Sequence, residues 1–244
     1  MSLFEVKNIT VAFGGVKALN DVSFGVDKGE IFTIIGPNGA GKTTLLKLLT
    51  GELNPDQGTV KLGTNLKIAT FDQNRQVLNS ETTLWETLTN SSETEILGKG
   101  DYVSVRGESR HVVGYLKDFL FNENQFRSPV SSLSGGEKAR LILAKIMAKD
   151  SNLLVLDEPT NDLDIETLDL LQELIANYEG TVLIVSHDRD FIDRIATSTI
   201  AIEKGNAVIY AGGWSDYLLQ NKRLQEQQTL ELGKNRLSNK KTKN

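Results

Sequence analysis

The feature that most constrains the fold is a glycine-rich octapeptide that lies between an apolar run and a helical pattern. This octapeptide, GPNGAGKT, spans residues 36–43 and fits the pattern G-x-x-x-x-G-K-[ST]. Ile31–Ile35, just before it, is a continuous run of β-branched and aromatic residues, which is typical of a strand buried on both faces. Lys42–Leu49 has helical apolar spacing and is followed by Gly51. Strand, glycine-rich loop and helix in this order predict a phosphate-binding loop.

The residue types in this loop suit a bound polyphosphate. Glycines let backbone N–H groups wrap the phosphates, and the start of the helix adds free amides and the positive end of its dipole. Lys42 is expected to reach the β- and γ-phosphates, and the Thr43 hydroxyl to ligate Mg²⁺. The alternative, a glycine-rich turn without a ligand, is disfavoured by the strand and helix on either side.

Two further apolar runs, Leu153–Leu156 and Val182–Val185, also read as buried strands, and helical patterns alternate with them. This alternation predicts an α/β fold with a mostly parallel core sheet covered on both faces. Leu3–Phe13 and Asp21–Val26 alternate apolar and polar residues, which predicts an antiparallel β subdomain. The mostly helical stretch at about 74–149 lies between two buried strands, so we expect it to form a helical subdomain.

The remaining elements follow from shorter patterns. Val60–Leu62 and Leu66–Phe71 are interpreted as a second strand pair, and Tyr102–Val105 as a small strand. The other predicted elements are helices at Thr82–Thr89, Ser109–Phe121, Ser134–Ala148, Asp164–Asn177 and Arg189–Ala196, a hairpin at Thr199–Tyr210, and a helix from Ser215.

Composition excludes several classes of protein. The chain has no cysteine, and none of its apolar runs approaches the ~20 residues that span a bilayer. Its first residues lead directly into strand-like alternation, without the pattern of a secretory signal. We therefore expect a cytoplasmic protein with no transmembrane segment of its own.

The net charge of −5 conceals a basic C-terminal tail, residues 222–244, with seven Lys or Arg and two Glu. We expect this tail to be helical and then disordered, after a domain that spans residues 1–221. A basic tail on an acidic body can contact nucleic acid or another anionic surface. A solvated, frayed terminus is the alternative.

Two adjacent carboxylates, Asp157 and Glu158, follow the predicted strand Leu153–Leu156. Ligands of doubly wound sheets bind at this carboxyl end of the strands. Asp157 is expected to hold Mg²⁺, usually through water, and Glu158 to orient or deprotonate an attacking water. A solvated acidic turn is the alternative.

A second helix start with a serine and two glycines occurs at Ser134-Gly135-Gly136-Glu137. Free amides at such a start form an anion site. Ser134 and Glu137 also fit a capping box, in which each side chain bonds to the other residue's backbone amide. Both interpretations can hold at once.

Three isolated residues are weaker candidates. His187, at the end of a buried strand, could hydrogen-bond a γ-phosphate and the catalytic water, or it could cap the next helix. Gln73 could bridge Mg²⁺ to the helical subdomain or be an ordinary loop residue. Phe13 could stack on adenine or lie in the core.

In this order the motifs resemble those of the ATP-binding cassette (ABC) ATPase superfamily over residues 3–215. The resemblance implies a P-loop NTPase fold of the ABC type, ATP hydrolysis and Mg²⁺ as the cofactor. It assigns catalytic roles to Glu158, His187 and Lys42. The metal ligands that it implies are Thr43, Gln73 and Asp157. The expected ATP-binding residues are Phe13, Gly36, Pro37, Asn38, Gly39, Ala40, Gly41, Lys42, Thr43, Thr44 and Gln73, with Ser134, Gly135, Gly136 and Glu137 of the signature and Asp164 of the D-loop.

Longer motifs resemble one subgroup. LSGGEKAR at 133–140, DEPTNDLD at 157–164, SHDRDF at 186–191 and GGWSDY at 212–217 look like the ABC-F group, and residues 102–121 look most like its Uup branch. Residues 4–51 are instead similar to the ATPase subunits of amino-acid importers.

The resemblance implies a second cassette as the partner, either another copy of this chain or the other half of a tandem protein. ABC-F proteins have two cassettes and no transmembrane domain, so the expected site of action is the ribosome, RNA or DNA. The first alternative is the energy subunit of a membrane ABC importer. The second, a DNA-repair-type ATPase head, is disfavoured because such heads interrupt the cassette with a long coiled coil.

Overall fold

The computed structural model describes residues 2–72, 78–89, 101–161 and 163–241, and it orders them around three sheets. Short 3₁₀ turns lie at Glu123–Gln125 and Val130–Ser132. The strands are β1 (Ser2–Phe13), β2 (Val16–Asp27), β3 (Ile31–Ile35), β4 (Gln57–Leu62), β5 (Ile68–Asp72), β6 (Tyr102–Val105), β7 (Glu108–His111), β8 (Leu153–Asp157), β9 (Thr181–Val185), β10 (Ser198–Glu203) and β11 (Asn206–Ala211). The helices are α1 (Lys42–Leu49), α2 (Leu84–Thr89), α3 (Val112–Asp118), α4 (Gly135–Ala148), α5 (Ile165–Ala176), α6 (Arg189–Ile195) and α7 (Trp214–Lys241).

The largest sheet has the strand order β11-β10-β3-β9-β8-β5. The five strands from β10 to β5 are parallel, and β11 pairs antiparallel with β10 at one edge. The predicted mostly parallel core sheet is therefore confirmed. Because β3, β9 and β8 are neighbours and parallel, their carboxyl ends meet at one edge of the sheet.

Side chains on the two faces of this sheet enter two different cores. On β8, Leu153 and Val155 pack with α1 and the β1–β2 hairpin, whereas Leu154 and Leu156 pack with α4 and α5. Both faces exclude water, so the middle of these strands is mostly apolar, and the buried hydroxyls of Thr33 on β3 and Thr199 on β10 are hydrogen-bonded to each other at 3.0 Å. This double burial explains why the apolar runs predicted the central strands closely.

The three-stranded antiparallel sheet, in the order β2-β1-β4, forms the predicted β subdomain. It corrects one interpretation, because Val60–Leu62 and Leu66–Phe71 do not pair with each other. The first belongs to β4, which pairs with β1, and the second to β5, which pairs with β8. Ala69 and Phe71 on β5 are fully buried, while β4 is largely exposed. The two strands therefore belong to different sheets, one in the core and one near the surface.

The predicted helix at Ser109–Phe121 is also corrected. Its first residues form β7, which pairs with β6 through a turn at Arg106-Gly107. Both turn residues have positive φ, 51° and 86°, as in the two-residue turns that suit the twist of a hairpin. The helix α3 begins only at Val112, after His111, whose side chain accepts a hydrogen bond from the Val113 amide.

The last helix, α7, begins against α6. The carboxylate of Asp193 accepts hydrogen bonds from the Ser215 amide at 2.7 Å and the Ser215 hydroxyl at 2.6 Å. The helix is 28 residues long and mostly polar, and none of the described helices is long and apolar enough to cross a membrane. The division of the chain at residue 221 stays a prediction.

Candidate nucleotide-binding site

The glycine-rich loop connects β3 to α1 and has a backbone that requires glycine at two positions near the cleft. Gly36 and Gly41 have φ values of 155° and 106°. A Cβ atom at Gly36 would lie 2.5 Å from the Ile202 carbonyl oxygen, and one at Gly41 2.5 Å from that of Ala18. Gly41 is also the N-cap of α1 and has no side chain to bond the first amides of the helix. These amides are therefore available to an anion.

Lys42, the first residue of α1, is 8% exposed, and its ammonium lies at the centre of the site. Nζ donates a hydrogen bond to the Gly36 carbonyl oxygen and lies within hydrogen-bond distance of His187 Nε2, both at 2.7 Å. Burial lowers the pKa of Lys42, and the nearby carboxylates of Glu158 and Asp157 oppose this shift. A buried ammonium with few partners is suited to an anionic ligand.

The carboxyl ends of β8 and β9 bring the predicted acidic pair to the same place. Asp157 ends β8, and Glu158 has a positive φ of 48° while its amide donates to the Val185 carbonyl oxygen at 2.8 Å. Glu158 Oε1 lies 3.2 Å from His187 Nε2. Burial raises the pKa of Glu158, against the opposing effects of His187 and Lys42. One imidazole nitrogen therefore lies between an ammonium and a carboxylate.

His187 does not cap the next helix. The N-cap of α6 is Asp188, whose carboxylate accepts from the Phe191 amide at 3.0 Å. The Ser186 hydroxyl accepts from the Asp188 amide at 3.1 Å. The capping alternative for His187 is therefore wrong, and its side chain faces the cleft.

A cleft of about 560 Å³ lies over these groups. Phe13 is 56% exposed at its edge, so the core interpretation of this residue is wrong. The sequence did not indicate that Val16 and Val185 line the cleft as well. The remaining described lining residues are Lys17, Ala18, Asn38, Gly39, Gly41, Lys42, Thr43, Thr44, Asp157, Glu158 and His187. Gly36 and Pro37 line a smaller cavity behind the loop, and Ala40 is buried.

The oxygen donors in the cleft suit the Mg²⁺ that the resemblance implies. Thr43 and Asp157 both line it, and within the described ranges no group of three or more His, Cys, Asp or Glu could enclose a metal ion. Mg²⁺ typically uses one or two protein oxygens together with water and substrate phosphates, so this sparse donor set fits it. Gln73, the third expected ligand, lies outside the described residues.

The signature segment begins α4 and forms the predicted capping box, while its role as an anion site stays a prediction. The Ser134 amide donates to Glu137 Oε2 at 2.8 Å and the Glu137 amide to Ser134 Oγ at 3.3 Å, which forms the capping box. The backbone hydrogen bond lowers the pKa of Glu137. Among the residues that the structure describes, those lining the cleft do not include Ser134–Glu137. The signature segment therefore lies apart from the cleft of its own chain.

The D-loop residue Asp164 lies next to the signature and not in the cleft. Its carboxylate caps α5 by accepting from the Thr167 amide at 2.7 Å. It also lies 3.5 Å from the Arg140 guanidinium and packs against Gly136. Sequence reasoning missed Arg140, because a buried arginine on an amphipathic helix has no local signal.

Comparison with known proteins identifies the family. The sequence profile of the family described as "ABC transporter" matches residues 19–161. The chain is 52% identical over 218 residues to the ATP-binding protein Uup of Caulobacter vibrioides, covering 89% of this chain and 35% of that protein. It is 39% identical to the energy-dependent translational throttle protein EttA of Haemophilus influenzae, covering 88% of this chain and 37% of that protein. The chain thus spans about a third of the length of these curated relatives.

Solved structures confirm the predicted fold. The ATP-binding subunit of an ABC transporter superposes with a TM-score of 0.71 at 24% identity, covering 90% of this chain and 93% of that one. The ATP-binding cassette MJ0796, a dimer in a post-hydrolysis state bound to ADP and Pi, gives a TM-score of 0.63 at 24% identity, covering 85% and 98%. With the profile match over more than half of its length, the chain belongs to the ABC transporter family.

Proposed function

We propose that this cassette binds MgATP in the cleft and hydrolyses it in a head-to-tail dimer. The observation that carries the proposal is the row of Lys42 Nζ, His187 Nε2 and Glu158 Oε1, with successive separations of 2.7 and 3.2 Å. The row lies where the glycine-rich loop meets the carboxyl ends of β8 and β9. A donor to phosphate, a polar group and a base thus face one space beside a helix start.

The loop binds the triphosphate in this proposal. Its backbone amides and those of Thr43 and Thr44 hold the phosphates, and Lys42 exchanges its contacts with Gly36 and His187 for phosphate oxygens. The Thr43 hydroxyl and Asp157, with Gln73 as a further expected ligand, would hold Mg²⁺, which would neutralise charge on the phosphates. Phe13 is exposed at the edge of the cleft, where its ring can stack on adenine.

Glu158 acts as the base. The oxygen of a water molecule attacks the γ-phosphorus, and the bond between this phosphorus and the β–γ bridging oxygen breaks. ADP leaves with the bridging oxygen, and the proton of the water passes to the Glu158 carboxylate. Its raised pKa makes this carboxylate a better proton acceptor than an ordinary glutamate. His187 lies in contact with both Glu158 and Lys42, so it can orient the water and the γ-phosphate.

A second cassette completes the site. Ser134–Glu137 are not among the described residues that line the cleft of their own chain, and their position at the start of a 14-residue helix suits an anion. Two chains related by a two-fold axis can each offer this segment to the other's ATP. The MJ0796 neighbour is a dimer, which supports the arrangement. The second cassette is another copy of this chain or the other half of a longer protein.

Light scattering tests the dimer. Glu158→Gln should bind ATP without turnover, so it should be a monomer with ADP and a dimer with MgATP. A monomer in both nucleotides, with ATP binding demonstrated, would refute the arrangement.

Mixing two inactive chains tests which residues share a site. Lys42→Ala disables the phosphate loop, and Ser134→Arg blocks the signature. In a mixed head-to-tail dimer both lesions fall in one site, and the other site is intact. Partial recovery of ATPase activity is expected, with each variant alone as the control. No recovery in demonstrable heterodimers would contradict the proposal.

For the biological role we infer an ABC-F, Uup-like action on the ribosome or nucleic acid. The relatives named above are Uup and EttA, and EttA is described by its name as a translational throttle protein. The role as an importer subunit rests on residues 4–51 alone. Co-sedimentation of Glu158→Gln with ribosomes in MgATP, and its loss in ADP, would support the first role. Equal sedimentation in both nucleotides would contradict it.

The basic tail supports a nucleic-acid contact within this role. It begins on α7 and carries a local charge of +5. Binding by such a segment depends steeply on salt, because it releases condensed counterions. Removing residues 222–244 should abolish a low-salt affinity for RNA or DNA, measured by fluorescence anisotropy. Unchanged binding would favour the alternative, in which the tail is a solvated terminus without a role in nucleic-acid binding.

A further inference from the structure

The buried guanidinium of Arg140 has an incomplete set of partners. Arg140 lies on α4, one turn after the signature, and is 8% exposed. Nη1 donates to the Thr167 hydroxyl at 3.0 Å and lies 3.5 Å from Asp164 Oδ2. Among the described residues, Nε has no hydrogen-bond partner. Asp164 is therefore the carboxylate paired with this buried charge, and Glu137 on the first turn of α4 adds a further electrostatic attraction.

Asp164 joins the starts of two helices. Its Oδ1 accepts from the Thr167 amide and so caps α5. Its Oδ2 faces α4, where a Cβ atom added to Gly136 would lie only 2.6 Å away. The same carboxylate thus contacts the signature glycine on one side and the first turn of α5 on the other, with Arg140 behind it.

This pair does little for the stability of the fold. The guanidinium loses its hydration on burial, whereas the Asp164 side chain stays 53% exposed, so the pair gains little over apolar residues of the same size. Asp164 caps α5 without help from Arg140, and Phe121 already offers an apolar neighbour, with its ring 5.6 Å from the guanidinium carbon. The consequence of the pair is geometric, since it fixes the signature loop relative to the D-loop.

We propose that Arg140 is a positioning residue for the reaction in the partner's site. Through Asp164 it holds Gly136 and the signature amides where they meet the other chain's γ-phosphate. This inference rests on the proposed head-to-tail dimer. It adds a residue that contacts neither the cleft nor the nucleotide.

Arg140→Met tests the inference with little effect on folding. It removes the buried charge and keeps an unbranched side chain that reaches about as far as Nε of arginine, while the Asp164 carboxylate that remains is half exposed and still caps α5. A displacement of about 1 Å in a catalytic group can lower a rate about 100-fold, so kcat should fall by that order. ATP affinity of the monomer should stay unchanged, because Arg140 is not among the described residues that line the cleft.

Arg127→Met is the matched control. Arg127 also lies in the segment before β8 and stacks on an aromatic ring, with its guanidinium carbon 4.4 Å from the ring centre of Trp85. It is exposed, and it has no contact with the pair among the described interactions. We expect its kcat to stay within about twofold of the wild type, as is usual for surface changes.

Mixed dimers separate positioning from a general loss of structure. In the mixture of Lys42→Ala and Ser134→Arg chains, the intact site uses the signature of the Lys42→Ala chain. Adding Arg140→Met to that chain should abolish the recovered activity. Adding it to the Ser134→Arg chain, whose signature is already blocked, should leave the recovered activity in place.

The outcomes are distinct. An equal loss from either chain would overturn the positioning role, as would full activity from both. No recovery in the parent mixture, despite heterodimers, would overturn the head-to-tail dimer itself and this inference with it. A melting temperature shared by wild type, Arg140→Met and Arg127→Met would confirm that the comparison is made among folded proteins.

Discussion

The two loop glycines Gly39 and Gly41 differ in a way that can be measured. Both have positive φ, 79° and 106°. A Cβ atom at Gly39 would have no described atom within 4 Å, whereas one at Gly41 would lie 2.5 Å from the Ala18 carbonyl oxygen and 3.2 Å from Leu19 Cδ2. Leu19 is fully buried and Ala18 contributes backbone of β2, so neither can move aside cheaply.

The expected cost follows from these two terms. Alanine in a left-handed conformation costs about 1–2 kcal/mol, and this is the whole effect of Gly39→Ala. Gly41→Ala adds overpacking against β2, which costs about 1–3 kcal/mol more. In a domain of this size each kcal/mol lowers the melting temperature by about 2–4 °C. Gly41→Ala should therefore melt about 2–12 °C below Gly39→Ala.

Thermal unfolding of both variants, followed by circular dichroism without nucleotide, provides the measurement. Isothermal titration with ADP then tests whether the same displacement disturbs the phosphate loop, and Gly41→Ala should bind more weakly than Gly39→Ala. Equal melting temperatures would refute the reasoning, because they would mean that the loop does not press on β2 as the structure has it.

Three other results are expected. Lys42→Ala should weaken ATP binding about 10- to 150-fold by titration calorimetry, the value of one charge-assisted hydrogen bond of about 1.5–3 kcal/mol; unchanged affinity would place the triphosphate elsewhere. Glu137→Gln should melt below wild type at pH 7, and this difference in melting temperature should close as the pH falls below 4.5, the ordinary glutamate pKa. The reason is that a carboxylate with a lowered pKa stabilises the fold only while it is ionised. A difference that does not change with pH would contradict this. Asp193→Ala should lower the free energy of unfolding by about 1 kcal/mol, measured by chemical denaturation, because it removes the hydrogen bonds to Ser215. Asp190→Ala, on the same helix, is the control and should not have this effect. Equal losses would contradict the docking of α7.

The sequence predicted best the strands that are buried on both faces. Ile31–Ile35 lies between two cores, and its five residues are all β-branched or aromatic, so this short run could be recognised as a buried strand. β4 and β5 were each recognised as strands but assigned to each other, because alternation reports exposure and not the pairing partner. β7 was missed because its four residues, Glu108–His111, are all exposed and carry no apolar pattern.

The candidate site divides in the same way. Gly36–Thr43 is one continuous segment, and Asp157 and Glu158 are neighbours in the sequence. Both motifs lie at the end of a buried strand, so the local sequence was enough to find them. The sheet order that brings His187 beside Lys42, 145 positions away, is a property of the fold. Arg140 and Asp164 meet across two helices, and nothing in either local pattern indicates that contact.

The charge of the cleft gives a physical reason for the reaction to await a second cassette. Besides His187, its described charged side chains are Lys17, Lys42, Asp157 and Glu158, so two cations stand against two carboxylates. A triphosphate brings several negative charges next to the two carboxylates, and the loop amides and Mg²⁺ offset part of them. In the proposed dimer the partner's signature adds a further helix start, whose positive dipole end faces the γ-phosphate. Charge that develops on this phosphate during hydrolysis is then stabilised by the loop of one chain and the signature of the other. In a single chain only the loop and its neighbours stabilise this charge.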